Sequence, residues 1–240
     1  MVVVNISYGK LIRKVGKMEI IKTSDVENQH IYCLIVGSSG SGKTSLAKTL
    51  EHDKTLIISA ESGLLSLKDC EIDAVIINSF SDMMKVFKML NGDTKYKNIF
   101  IDSLTEIGEI LLKECEKTAK GFQVYNNYED RMVGMIKAFR DMIKYNIYIT
   151  ALDSMGKSEG DPLSIDFKHK RLAKKLPSLF DLVMHLSIYT KEDGENVRGL
   201  RTANTDYVDF AKDRSGKLNP VEKANLNNIE SKIFNKELSE

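Results

Sequence analysis

The sequence predicts an α/β fold of P-loop NTPase type: a mostly parallel central sheet with helices on both faces. Three observations carry the prediction. Residues 37 to 44 read Gly-Ser-Ser-Gly-Ser-Gly-Lys-Thr, a complete G-x-x-x-x-G-K-[ST] phosphate loop. Short apolar runs alternate with segments of helical periodicity, as strands buried on both faces require. Several of those runs end on an acid or a hydroxyl, at the carboxyl ends where open parallel sheets hold ligands.

Taken in order, residues 1–25 alternate apolar and basic groups around Gly9 and Gly16, which reads as an N-terminal arm or hairpin. The core is expected over 26–219. Ile31 to Val36 is an apolar strand leading into the loop, and Ser45 to Leu50 leaves it with helical character. Thr55 to Ser59 and Ala74 to Ile77 read as further strands. A helix with Met83, Met84, Val86, Phe87 and Leu90 at helical spacing follows, closed by Asn91-Gly92-Asp93. Asn98 to Asp102 is a strand ending in an acid, and a helical pair split near Gly121 comes next. The second helix carries Met132, Met135, Ile136, Phe139, Met142 and Ile143, a stripe that reads as core packing. Asn146 to Ala151 and Asp181 to Tyr189 are strands, and Asp193-Gly194 turns the chain into a C-terminal antiparallel hairpin with Val197 to Thr202. From Pro220 to residue 240 a single charged C-terminal helix is expected.

At 240 residues and 42% hydrophobic content, one sizeable core accommodates the whole chain. The formal net charge is +1, so attraction to nucleic acid must come from a local patch. Cys33, Cys70 and Cys115 form no paired spacing and suit a reducing, cytoplasmic setting. The apolar start is short, with no basic residue before it, and no run approaches membrane-spanning length. A soluble chain with no membrane partner is expected.

The loop defines the chemistry. Gly37, Ser38, Ser39, Gly40, Ser41, Gly42, Lys43, Thr44 and Ser45 form the nucleotide-binding set, with backbone N–H groups and a helix start converging on phosphate. Lys43 reaches the β- and γ-phosphates, and the Thr44 hydroxyl is offered to Mg²⁺. Asp102 sits where a strand-end carboxylate holds the same Mg²⁺. Glu61 ends the strand after the loop helix. It either polarises the attacking water or is a solvated acid at a helix start. Thr150 and Asp153 either sense the γ-phosphate or do ordinary turn chemistry. Lys157, Lys168, Lys170, Arg171 and Lys174 flank a long polar segment that either grips a phosphate backbone or is an exposed basic face. Lys212 and Arg214, near the end of the sheet, either stabilise transition-state charge or belong to a surface turn. His30, His52, His169 and His185 make no zinc-type cluster.

Five segments together resemble a known family: the phosphate loop, Ala60-Glu61-Ser62-Gly63-Leu64, Ile101-Asp102-Ser103-Leu104-Thr105-Glu106, Lys174 to Asp181, and Ala211-Lys212-Asp213-Arg214-Ser215-Gly216-Lys217-Leu218. They look like the phage nucleotide-binding proteins, small RecA-like ATPases grouped with single-strand annealing proteins and recombinases. The resemblance spans roughly residues 20 to 235. It implies a RecA-like core, ATP as the nucleotide, Glu61 as the catalytic glutamate and Asp102 as the Walker-B acid. It also implies single-stranded DNA against the Asp153 to Lys175 region. Further implications are a homo-oligomer with ATP between subunits, Lys212 and Arg214 reaching a neighbour's nucleotide, and a single-strand-binding protein as a partner. The chain departs from full-length recombinases in lacking room for a large accessory DNA-binding domain and any evident polymerisation motif in its N-terminal arm.

The function expected from all this is an Mg²⁺-dependent, DNA-stimulated ATPase of phage recombination or strand annealing. Two alternatives are a small-molecule kinase whose lid is the Lys168 to Lys175 region, and a nucleotide-gated DNA-binding module with negligible turnover.

Overall fold

A computed structural model describes residues 30–61, 63–155, 160–191 and 194–235, and the backbone of 13–15 and 18–20. Near the start, β1 (Arg13–Val15) pairs antiparallel with β2 (Met18–Ile20). The rest of the expected 1–25 arm lies outside the described residues.

β3 (Tyr32–Gly37) is the central strand, and all six of its residues are buried. Its continuous apolar sequence is explained by its surroundings, because alternate side chains enter two separate cores. Tyr32, Leu34 and Val36 face one, Cys33 and Ile35 the other. Tyr32 keeps its phenol satisfied by donating to the Ile136 carbonyl at 2.6 Å, while its ring stacks on Phe180 at 4.6 Å between centroids.

The remaining strands are β4 (Thr55–Ser59), β5 (Asp73–Ile76), β6 (Asn98–Asp102), β7 (Asn146–Ser154), β8 (Ser164–Ile165), β9 (Leu182–Thr190), β10 (Asn196–Arg201), β11 (Lys212–Asp213) and β12 (Val221–Lys223). Across the sheet the order is β12-β10-β9-β3-β7-β6-β4-β5, with β8 added to β7 and β11 to β9. Every pairing from β9 through β5 along that path is parallel, whereas β10 and β12 are antiparallel additions. β7 therefore separates the loop strand β3 from the acid-bearing strand β6.

The helices are α1 (Phe80–Leu90), α2 (Leu104–Thr118), α3 (Phe122–Arg140), α4 (Lys170–Lys175) and α5 (Leu226–Phe234). Residues of α1 to α4 pack on the face of Leu34, and α5 packs on the face of Ile35 together with Leu46 and Leu50. Of the Met/aromatic stripe, Met132, Met135, Ile136, Phe139 and Met142 are buried, and Ile143 is not. Among the described residues no helix is long and apolar enough to cross a membrane.

One local expectation is made more specific and a second changes. The segment leaving the loop is a 3₁₀ helix over Thr44–Thr49. Its Thr49 hydroxyl takes the Leu46 carbonyl at 2.7 Å, and the chain turns extended at Leu50. The tail from Pro220 is also not one helix. Val221–Lys223 forms β12 on the edge of β10, and α5 begins only at Leu226, where the Asn225 side chain caps it by accepting from Asn228 N. Open strand edges offer backbone partners, and no periodicity count registers them.

Candidate functional site

The phosphate loop leaves β3 at Gly37, where a side chain has no room. A Cβ there would stand 2.8 Å from the Leu186 carbonyl and 2.9 Å from Ser41 Oγ. Gly40 and Gly42 take positive φ values of 76° and 102°, the left-handed region that glycine enters without strain. Lys43 folds along the loop, its ammonium donating to the Gly37 carbonyl at 2.7 Å and the Ser38 carbonyl at 2.9 Å. Burial pulls the Lys43 ammonium below its ordinary pKa, against the opposing charges of Asp102, Asp153 and Glu61.

Five strands bring the other groups to this loop. Asp102 closes β6 and is 2% exposed, so its oxygens need partners. Oδ2 accepts from the Thr44 hydroxyl at 2.6 Å and Oδ1 from the Thr150 hydroxyl, at 2.5 Å, on β7. Thr150, read from the sequence either as a γ-phosphate sensor or as ordinary turn chemistry, is thus an orienting partner of Asp102. Thr44 and Asp102 present hard oxygen donors side by side beside a phosphate loop. That set fits Mg²⁺, which takes one or two protein oxygens and completes its shell with water and phosphate.

Glu61 follows β4, and its carboxylate accepts a hydrogen bond from the Ser103 hydroxyl. Ser103 is itself fixed, because its Oγ also accepts from Glu106 N as the cap of α2. The helix cap after Asp102 therefore ties the Glu61 carboxylate to the Asp102 strand.

Asp153, also on β7, lies beside the start of the loop. Its Oδ2 accepts from the Ser38 hydroxyl at 3.2 Å and pairs with His185 Nε2 at 2.9 Å. Burial alone would raise the Asp153 carboxyl, but the His185 and Ser38 contacts and the charge of Lys43 hold it below its ordinary range. His185 was missed as a site residue because its proximity follows from strand pairing. It sits on β9 level with Val36, one residue before the loop begins. Arg198, on β10, was missed for the same reason. Its Nε donates to the Ser41 carbonyl at 2.9 Å, inside the loop.

The basic segment is less free than its sequence suggests. Arg171 and Lys175 pair with the buried Glu129 of α3 at 3.0 and 3.3 Å, and His169 stands 3.6 Å from the same carboxylate. Burial alone would raise the Glu129 carboxyl, but Arg171 and Lys175 hold it below its ordinary range. Lys168 faces Glu109 at 3.5 Å. Lys170 and Lys174 are exposed and make no ion pair among the described residues. Phe167, the aromatic ring beside these cations, is buried in the core. Lys157 lies outside the described residues.

The position expected for Lys212 and Arg214 is corrected. β11 pairs antiparallel with the start of β9, Lys212 opposite Val183, and Val183 is level with Leu34. At about 3.3 Å per residue that is about 10 Å below Gly37 along the strands. Arg214 lies lower still, its guanidinium 2.7 Å from Asp181 at the amino end of the sheet. An antiparallel return strand carries the block away from the carboxyl ends, and neither cation belongs to the phosphate site of its own chain.

Sequence comparison agrees with this geometry. Residues 29–215 match the AAA domain family, a span that begins before β3 and ends just after β11. No curated protein matches the chain. With a complete phosphate loop, an acid-bearing strand at its threonine and a family match across most of its length, the chain belongs to the AAA domain family of P-loop, nucleotide-binding ATPases.

Proposed function

We propose that the chain is a RecA-like, Mg²⁺-dependent ATPase that works on single-stranded DNA in phage recombination or strand annealing. The observation that carries the catalytic half is the convergence of Lys43, Thr44, Asp102 and Glu61 at the carboxyl ends of three strands. In this reading Thr44 and Asp102 would hold Mg²⁺ beside the bound phosphates. Lys43 supplies positive charge to the same oxygens. Glu61, steadied by Ser103, orients the attacking water and takes its proton. Mg²⁺ contributes charge neutralisation of the phosphates when bound.

The nucleic-acid half rests on the sequence resemblance and on the exposed Lys170 and Lys174. Phosphate release from ATP is expected to rise several-fold on adding single-stranded DNA, and the rise should vanish in Lys43→Ala. The double variant Lys170→Ala/Lys174→Ala should retain basal turnover and lower the salt slope of single-stranded DNA binding by about 1.4 log units per log unit, about 0.7 for each neutralised phosphate. Turnover indifferent to DNA at low salt would reject this half. A metabolite-kinase lid is disfavoured by the same segment, because Arg171 and Lys175 are already committed to Glu129.

The assembly reading rests on the sequence resemblance, which assigns Lys212 and Arg214 to a neighbour's nucleotide. About 10 Å or more from their own loop, they reach phosphate only across a subunit contact. Burial and the neighbouring Arg214 hold the Lys212 ammonium below its ordinary pKa, a state that an incoming phosphate would relieve. Neither Lys212→Ala nor Lys43→Ala is expected to hydrolyse ATP alone, and mixtures of the two should regain activity. No recovery at any mixing ratio, with assembly intact, would remove the shared site.

A further inference from the structure

The phosphate loop leaves β3 between two parallel neighbours, β7 and β9. Val36 is level with Ala151 on β7 and with His185 on β9, and Gly37 is level with Leu152. Neighbouring strands lie about 4.8 Å apart, so β7 and β9 are about 10 Å from each other. Asp153 and His185 close that gap over the end of β3, Oδ2 to Nε2 at 2.9 Å. Both side chains are buried, Asp153 at 5% exposed and His185 at 8%. The same Oδ2 accepts from the Ser38 hydroxyl at 3.2 Å. The Ser38 carbonyl in turn accepts from the Lys43 ammonium at 2.9 Å and from Ser41 N at 3.1 Å. The pair is thus fastened to the first turn of the loop.

A carboxylate only accepts hydrogen bonds, so His185 Nε2 carries the hydrogen of this contact whichever charge the ring has. The proton that can come and go is the one on Nδ1. That atom is buried and has no hydrogen-bond partner among the described residues. Phe210 meets the ring edge-on, 5.9 Å between centroids. Two influences therefore oppose each other: the Asp153 charge favours an imidazolium, and burial of an unpaired N–H disfavours it. A histidine in such surroundings responds to a further charge brought nearby.

The ligand of the loop supplies that charge. Lys43 is opposed by three carboxylates, Asp102, Asp153 and Glu61. Asp102 is engaged by the Thr44 and Thr150 hydroxyls, and Glu61 by Ser103. Asp153 is the one of the three that, among the described residues, pairs with a side chain whose charge can change. A polyphosphate entering at Ser38 and Lys43 meets a net negative pair if the ring is neutral and an uncharged pair if it is an imidazolium. The other charged groups on elements packed against the pair are of fixed type. Arg201 lies opposite His185 on β10, its guanidinium over the Tyr189 ring. Lys212 on β11 faces Val183, Asp209 precedes Phe210, and Asp166 follows the β8 partner of Asp153. Arginine, lysine and carboxylate side chains ordinarily keep one charge through the neutral range, where histidine does not.

We propose that Asp153 and His185 form a proton site of the phosphate loop: binding of a nucleoside triphosphate draws a proton from solvent onto His185 Nδ1, and the pair meets the phosphates without net charge. This rests on the reading of the loop as a nucleotide site, and the test separates the two. Binding of Mg²⁺-ATP is measured by calorimetry between about pH 6 and about pH 8, in buffers of different ionisation enthalpy, which counts the protons taken up. The wild type is compared with Asp153→Asn and His185→Gln, which cancels protons exchanged by ATP itself and by His30, His52 and His169. Near neutral pH the wild type should take up at least about half a proton per ATP more than either variant. Its affinity should fall about tenfold across that range relative to both. Asp153→Asn keeps an acceptor for Ser38 and His185 and should bind ATP tighter than the wild type at the alkaline end. His185→Gln keeps an N–H for Asp153 and should bind at the acid end no better than the wild type does at the alkaline end. A packing role would weaken binding equally at every pH. Equal proton uptake in the wild type and both variants would overturn the proton site and leave the loop assignment standing. No uptake by the wild type would do the same, and that arm needs no variant to fold. Failure of the wild type to bind Mg²⁺-ATP at any pH would overturn both.

Discussion

Lys43→Ala is expected to weaken ATP binding by two orders of magnitude or more and to reduce hydrolysis to background. Lys43 is 8% exposed and its ammonium donates to two loop carbonyls, which fixes it along the path of the phosphates. A charge-assisted hydrogen bond to phosphate contributes about 1.5–3 kcal/mol, and Lys43 can make more than one. Losing about 3 kcal/mol corresponds to roughly a hundredfold in affinity. The same residue is not expected to be a source of folding stability. A lysine whose folded pKa lies below its unfolded value is protonated less readily when folded. It therefore costs stability at low and neutral pH, and that cost fades as pH rises through the unfolded pKa. Truncation removes this cost together with two hydrogen bonds, so the melting temperature should hold while binding collapses. Calorimetric titration and a thermal melt on the same sample check both statements. ATP affinity within threefold of wild type would remove Lys43 from the site.

The centre of the sheet was legible in the sequence because its strands are buried on both faces. Ile31 to Val36 is apolar throughout and Asn98 to Asp102 is apolar at its three inner positions, and β3 and β6 coincide with them within a residue. The loop was legible because it is contiguous, and its glycines and lysine act through backbone geometry set within eight residues. What escaped depends on pairing between distant segments. His185 reaches Asp153 because β9 aligns with β3 and β7, and Arg198 reaches Ser41 because β10 folds back on β9. The Lys212–Arg214 block read as an end-of-sheet cluster, but strand direction is not written in composition, and β11 runs it to the amino end. The basic run from Lys168 to Lys175 likewise read as a free surface. Its partner Glu129 lies some forty residues away, on a helix face that only the packed structure turns toward it.

Glu61→Gln should leave ATP binding within about threefold of wild type and cut turnover by 10²- to 10⁴-fold, the usual loss when a general base is removed. The substitution preserves shape and keeps an acceptor for the Ser103 hydroxyl, so the link from Glu61 to the cap of α2 survives. What it removes is the ability to take a proton from water. Single-turnover phosphate release separates the two effects, because a binding defect is overcome by excess ATP and a chemical defect is not. The comparison with Asp102→Asn sharpens the assignment. Asp102 is buried and receives both Thr44 and Thr150, so its loss should raise the Mg²⁺ requirement as well as slow the reaction. Glu61→Gln should slow the reaction at an unchanged Mg²⁺ requirement. Normal turnover in Glu61→Gln would transfer the role of base to Asp153, the other carboxylate at the loop entrance, which Ser38 and His185 hold in place.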